Sequence, residues 1–243
     1  MNNLSIGTWI SLPNESIAEI FAKAGYEWIV IDLEHSCITI DQAANLIRVI
    51  DLSGAKPYIR LSAHDSTQIK RVLDAGARGI IAPMIENANQ IKHIINACHY
   101  PPIGMRGMGL ARAQAYGETE AKRKYIDQGC KDIEIFAQIE SLEAVKNIES
   151  IFAESIEGYF IGPYDLSASM GNAGEFNTDE FKQTESLILE AAKKANIKSG
   201  FHLVEPAKEE LTKLVDFGYD MVAFSVDIRM LDSSARIPFK QDE

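Results

Sequence analysis

Cysteine and tryptophan are scarce in this chain, with three and two residues out of 243. Cys37, Cys98 and Cys130 are odd in number and lack metal-ligand spacing. That argues against a disulfide framework and reads as reduced thiols. No apolar run approaches the ~20 residues that a membrane-spanning helix needs. A basic surplus is missing too: 24 Lys and Arg face 35 Asp and Glu, for a net charge of -11. Nucleic acid and anionic membranes both call for a basic face, so neither is expected as a partner. The opening Met1-Asn2-Asn3-Leu4-Ser5 lacks the basic-then-apolar pattern of a leader, and a cytoplasmic protein is expected.

The sequence is 46% apolar with a mean hydropathy of -0.09, an ordinary globular composition. Its length is near the roughly 250 residues of a (β/α)₈ barrel. Short apolar runs alternate with amphipathic stretches, the βαβα pattern of a parallel sheet. Eight strands are expected, at 5–11, 27–33, 56–61, 79–84, 133–140, 158–163, 198–204 and 221–226. Helical patterns include Ser16–Ala24, Ile40–Leu52, Thr67–Ala75, Asn87–Cys98, Glu118–Gln128 and Leu142–Phe152. Gly25, Gly54 and Gly76 follow three of them, where a left-handed C-cap suits glycine. No linker or repeat divides the chain, so residues 1–243 are read as a single (β/α)₈ TIM barrel of the α/β class. The segment after Val226 is short for a last helix plus tail. A neighbouring subunit is expected to complete the cover, which makes the protein a homo-oligomer.

Catalytic groups of such barrels sit at the C-terminal ends of strands. There the sequence places Asp32, Glu34, His35, Arg60, Met84, Gln138, Glu140, Asp165, His202 and Asp227. Lys56, Lys131 and Lys198 fall at strand starts instead, which weighs against imine chemistry. Glu140 and Asp165 each end an apolar run. Each alone reads equally as an early-turn helix acid. As a pair on adjacent parallel strands, with Gln138 on the same face as Glu140, they suit a divalent cation with open positions. Arg60 reads as an ion-pair partner or as an anion holder for a carboxylate or enolate oxygen. His35, three residues after Asp32, reads as a structural or exposed histidine or as an acid/base group whose ring that carboxylate could orient, and the second is favoured. Cys37 is taken as a bystander. Gly104-Met105-Arg106-Gly107-Met108-Gly109 is a flexible loop, outside the strand-to-helix context of a dinucleotide site.

Several motifs in order carry a family resemblance. They are Ile31-Asp32-Leu33-Glu34-His35, Arg60, Val72-Leu73-Asp74-Ala75-Gly76, Pro83-Met84 and Tyr100-Pro101-Pro102. Arg106-Gly107, Gln138-Ile139-Glu140 and Gly162-Pro163-Tyr164-Asp165-Leu166-Ser167 complete the set. Together they resemble the HpcH/HpaI family of class II, metal-dependent pyruvate aldolases. The resemblance implies reversible cleavage of a 4-hydroxy-2-oxo acid to pyruvate and an aldehyde through a pyruvate enolate. It implies Mg²⁺, Mn²⁺ or Co²⁺ on Glu140 and Asp165. Substrate contacts would come from Arg60, Gln138, Gly162, Pro163 and Tyr164, and acid/base work from His35 with Asp32. Asp74 would reach a neighbouring subunit's site, and hexamers are implied. A malyl- or citryl-CoA type lyase and a non-catalytic metabolite-binding barrel are the alternatives. Tyr164 departs from the small residue or asparagine common at its position.

Overall fold

The computed structural model describes residues 4–239. Eight parallel strands close into a barrel in sequential order, β1 to β8, with β8 pairing back onto β1. They are Ser5–Ile10, Trp28–Asp32, Lys56–Arg60, Gly79–Ala82, Glu134–Ile139, Gly158–Ile161, Lys198–Leu203 and Met221–Val226. Each expected strand is present, but several stop short at their C-terminal ends. β4 ends at Ala82 because Pro83 has no N–H to donate and Met84 turns into left-handed geometry at φ 50°. β6 ends at Ile161 because Pro163 already opens a helix.

The helices are α1 Glu15–Ala24, α2 Ile40–Leu52, α3 Ser66–Ala75, α4 Ala88–Cys98, α5 Thr119–Lys124 and α6 Leu142–Lys146. They continue with α7 Ile148–Phe152, α8 Pro163–Ser169, α9 Asp179–Ala195, α10 Lys208–Phe217 and α11 Asp227–Ala235. Caps fix their starts: Asn14, Thr39, Asp65 and Asn87 each accept backbone N–H groups of the first turn. Gly25 and Gly76 close α1 and α3 in left-handed geometry. Ser53 caps α2 instead, with Gly54 one step further on.

One expectation fails. Leu142–Phe152 is two short helices, broken at Asn147. The Asn147 side-chain amide donates to the Glu86 carbonyl at 2.9 Å, and this tertiary bond competes with helix continuation. The segment expected as helix Glu118–Gln128 is α5 followed by a π turn over Tyr125–Gly129.

Strand alternation sorts two cores. Trp9, Trp28, Val30, Tyr58, Ile81, Phe136, Phe160, Met221 and Ala223 fill the barrel interior. The aromatic rings interlock, with Trp28–Phe160 and Phe136–Phe160 centroids both 5.4 Å apart. The opposite strand faces pack against the helices. At the N-terminal end Lys56 and Lys198 both reach Glu134, which also accepts from Tyr58 Oη. The lysines thus occupy the end away from the candidate site. After β8, α11 and a 3₁₀ turn at Ile237–Phe239 provide the remaining cover. Ile228, Leu231, Ile237 and Phe239 stay exposed there.

Candidate active site at the carboxyl end of the barrel

Glu140 is the first residue beyond β5 and is only 4% exposed. Its Oε1 accepts the Met84 backbone N–H at 2.5 Å, and its Oε2 accepts from Gln138 Nε2 at 2.6 Å. The two-residue strand period puts Gln138 and Glu140 on one face, so that bond is local in sequence. Gly162 leaves the room: a Cβ there would lie 2.6 Å from Glu140 Oε2. Burial pushes the Glu140 carboxyl up to about 7, against the Met84 bond, and the Glu34 and Asp165 charges add to the rise. Asp165 lies exposed in the first turn of α8, next to half-exposed Tyr164.

Arg60 ends β3 beside Asp32, which ends β2, and the two are register partners. Arg60 donates from Nε to Asp32 Oδ1 at 2.9 Å and from Nη2 to Oδ2 at 2.6 Å. Its Nη1 stands 3.3 Å from Glu34 Oε2. Burial opposes ionisation of Asp32, yet the Arg60 bonds and charge, with the Glu34 and His35 N–H groups, hold its carboxyl below the ordinary range. Burial, before the offsetting Arg60 charge, raises Glu34.

The expected pairing of Asp32 with the His35 ring is not formed. Asp32 meets only the His35 backbone N–H, at 3.2 Å, because the buried guanidinium claims both its oxygens. The His35 ring is exposed, with Nε2 3.8 Å from Glu34 Oε2. Asp74 is not brought to this mouth. It lies near the far end of α3, where it accepts from Arg106 Nη2 at 2.6 Å and Gln114 Nε2 at 3.0 Å. Asp227 is a structural cap that accepts the Ser11 and Leu12 N–H groups at 3.0 and 2.8 Å.

The sequence reading missed Trp9. Its ring lies 4.5 Å under the Arg60 guanidinium carbon and stacks on His202 at 4.6 Å. A tryptophan on a barrel strand reads as core, and only the β1–β2–β3 order reveals what it supports. Burial, then the Arg60 charge, pulls His202 down to about 3, so its imidazole stays neutral and structural.

The donor set fits a hard divalent cation. Two buried oxygens at the mouth, Gln138 Oε1 and Glu34 Oε2, have no hydrogen-bond partner. Three carboxylates, Glu34, Glu140 and Asp165, repel one another there. Among the described residues no three His, Cys, Asp or Glu side chains converge into a closed ligand cage. Two protein ligands alone, Glu140 and Asp165, would leave a six-coordinate cation positions for water or substrate.

A closed parallel barrel with Glu140, Arg60 and Asp32 gathered at its carboxyl end places the protein in the (β/α)₈ class. The chain belongs to the HpcH/HpaI aldolase/citrate lyase family, whose model matches residues 5–233. With that membership it is a carbon–carbon lyase. It is 35% identical over 225 residues to a 2-keto-3-deoxy-L-rhamnonate aldolase of Klebsiella pneumoniae, covering 91% of this chain and 82% of the relative. Among solved structures it is similar to an HpcH/HpaI aldolase/citrate lyase family protein of Burkholderia cenocepacia. The TM-score is 0.91 and the identity 29%, over 98% of this chain and 93% of the other. An HpcH/HpaI aldolase of Desulfitobacterium hafniense gives a TM-score of 0.92 at 26% identity, over 98% and 92%.

Proposed function

We propose that this protein catalyses reversible, divalent-metal-dependent aldol cleavage of a 4-hydroxy-2-oxo acid to pyruvate and an aldehyde. The observation that carries the proposal is Glu140: a buried carboxyl up-shifted to about 7, facing two other acids and one engaged arginine. The aldolase named among its relatives acts on a 2-keto-3-deoxy acid, a member of the same chemical class.

Glu140 and Asp165 would hold Mg²⁺, Mn²⁺ or Co²⁺, which supplies Lewis-acid polarisation of a 2-oxo group when bound. Arg60, held in plane by Asp32, presents its remaining N–H groups to the oxygen that becomes enolate. A donor fixed in advance need not reorganise during the reaction. His35, or a water it orients, takes the 4-hydroxyl proton. The C3–C4 bond then breaks, the hydroxyl-bearing carbon leaves as the aldehyde, and the bonding pair stays as enolate until C3 gains a proton. Gln138 Oε1, buried and unpartnered two residues before Glu140, would accept from a substrate or water donor that reached it. A CoA-thioester reading would want lysine and arginine along the mouth, and the βα loops carry neither.

Incubation with pyruvate and Mn²⁺ in D₂O tests the proposal through loss of the methyl proton signal. Exchange is expected with metal and not with chelator, and Glu140→Ala is expected to abolish it. Undiminished aldol cleavage by metal-stripped protein sinks the proposal.

A further inference from the structure

The loops that follow the strands contain no cation. Segments 11–14, 33–39, 61–65, 83–87, 140–141, 162 and 204–207 hold neither lysine nor arginine. They do hold Glu34, Asp65, Glu86, Glu140 and Glu205. Four arginines are committed to carboxylates. Arg60 is held by Asp32 and Glu34, and Arg229 donates to Glu205 at 2.7 Å and Asp232 at 2.6 Å. Arg106 and Arg112 pair with Asp74 and Asp51 near the far ends of α3 and α2. Lys208 is the exposed first residue of α10, just past segment 204–207; to a second anionic group on a substrate, the loops themselves offer carboxylates and neither lysine nor arginine.

Apolar surface stands in the same place. Met84 is 47% exposed while its own N–H holds Glu140. Tyr164, likewise 47% exposed, follows Gly162 and Pro163, the turn that lies against Glu140. Its ring meets Phe176 edge-on at 5.0 Å and 88°. Phe176 in turn packs at 5.6 Å on Phe181, a buried residue in the first turn of α9. The ring is therefore braced through two aromatics into the core. Its hydroxyl makes no hydrogen bond with any described residue. A braced, half-exposed ring beside a charged centre presents apolar area at little entropic cost.

From this arrangement we infer that Tyr164, braced by Phe176 and adjacent in sequence to Asp165, acts with Met84, whose N–H holds Glu140, to select an uncharged aldehyde with an alkyl or aryl substituent. This inference rests on the aldolase reading and names its acceptor class. In the synthetic direction, the pyruvate enolate carbon bonds to the aldehyde carbon. The aldehyde oxygen takes a proton and becomes the 4-hydroxyl, so no further co-reactant is needed.

The test compares aldehydes in pairs, with pyruvate and Mn²⁺ present. Butanal and succinic semialdehyde share a chain length and differ in the terminal carboxylate. Benzaldehyde and glycolaldehyde contrast an aryl with a hydroxymethyl substituent. The wild-type protein is expected to favour butanal over succinic semialdehyde in kcat/KM by about tenfold or more, the scale of one pocket contact. Tyr164→Ala is expected to shrink the benzaldehyde-to-glycolaldehyde ratio by about tenfold, mostly through the KM for benzaldehyde. Tyr164→Phe is expected to keep the wild-type ratio, since the ring and not the hydroxyl is invoked. The ratio is taken within one variant, so a general loss of turnover does not mimic the effect. Preference for succinic semialdehyde overturns the inference, as does a ratio unchanged in Tyr164→Ala. Should Tyr164→Ala be inactive, the wild-type butanal comparison and the Tyr164→Phe ratio still decide. Absence of methyl exchange in the wild-type protein without any aldehyde marks failure of the aldolase reading itself.

Discussion

Glu140 is asked to stay ionised where burial and two neighbouring acids favour the proton. Its carboxyl moves from the ordinary 4.5 to about 7. A folded value above the unfolded one stabilises the protein below pH 4.5, and that contribution is lost as pH rises through about 7. The metal-free protein is thus strained by this residue at pH 8 and relieved by protonation at pH 6. A divalent cation competes with that proton, since a carboxylate must be ionised to bind. The Tm gain on adding Mn²⁺ over EDTA is therefore expected to be larger at pH 8 than at pH 6. An equal gain at both pH values would place the cation away from Glu140. Trp9 shows why part of the site is hidden at this scale. Nothing in Gly7-Thr8-Trp9-Ile10 signals chemistry, and its contact with Arg60 exists only because β3 lies two strands away in the closed barrel.

At the scale of elements, the turn from β6 into α8 is the tightest part of the mouth. Gly162→Ala places a methyl 2.6 Å from Glu140 Oε2 and 3.0 Å from Gln138 Nε2. Its φ of -91° suits alanine, so the backbone itself is not strained. The expected result is a folded barrel by circular dichroism with Mn²⁺ affinity reduced by about tenfold or more, the loss typical of disturbing the groups around metal ligands. Unaltered Mn²⁺ affinity would mean that the glycine does not shape the site. Gln138, Glu140 and Arg60 were legible in the sequence because strand alternation and strand ends are local properties. The Asp32–Arg60 pairing was less so, because a carboxylate three residues before His35 invites a local partner. The break at Asn147 was not legible at all: its acceptor, Glu86 O, lies 61 residues away.

For the whole molecule, the apolar surface that remains outside the barrel argues for assembly. Leu231 is 59% exposed and Phe239 85% on the C-terminal segment, and Met105 is 81% exposed on the 99–118 connection. Such surface marks interaction sites when it is grouped. The protein is expected to sediment as a homo-oligomer, and Leu231→Asp with Phe239→Asp is expected to shift it to smaller species with unchanged helix content. A monomeric wild-type protein at micromolar concentration would count against assembly. The eight-strand order was legible because each βα repeat writes its own pattern; the homo-oligomer was expected from the short segment after Val226, but which surface would meet a partner was not, because such a surface leaves no periodicity behind. Within one barrel, Asn147 and the start of α6 also join neighbouring parts of the mouth. The Asn147 amide holds the Glu86 carbonyl, Ser141 Oγ donates to the Glu86 carboxylate at 3.1 Å, and Leu142 N–H donates to Ser169 Oγ at 2.9 Å. The loop carrying Met84, the turn carrying Glu140 and the helix carrying Asp165 are tied together by these bonds. Loosening any one of them removes hydrogen bonds that hold the others.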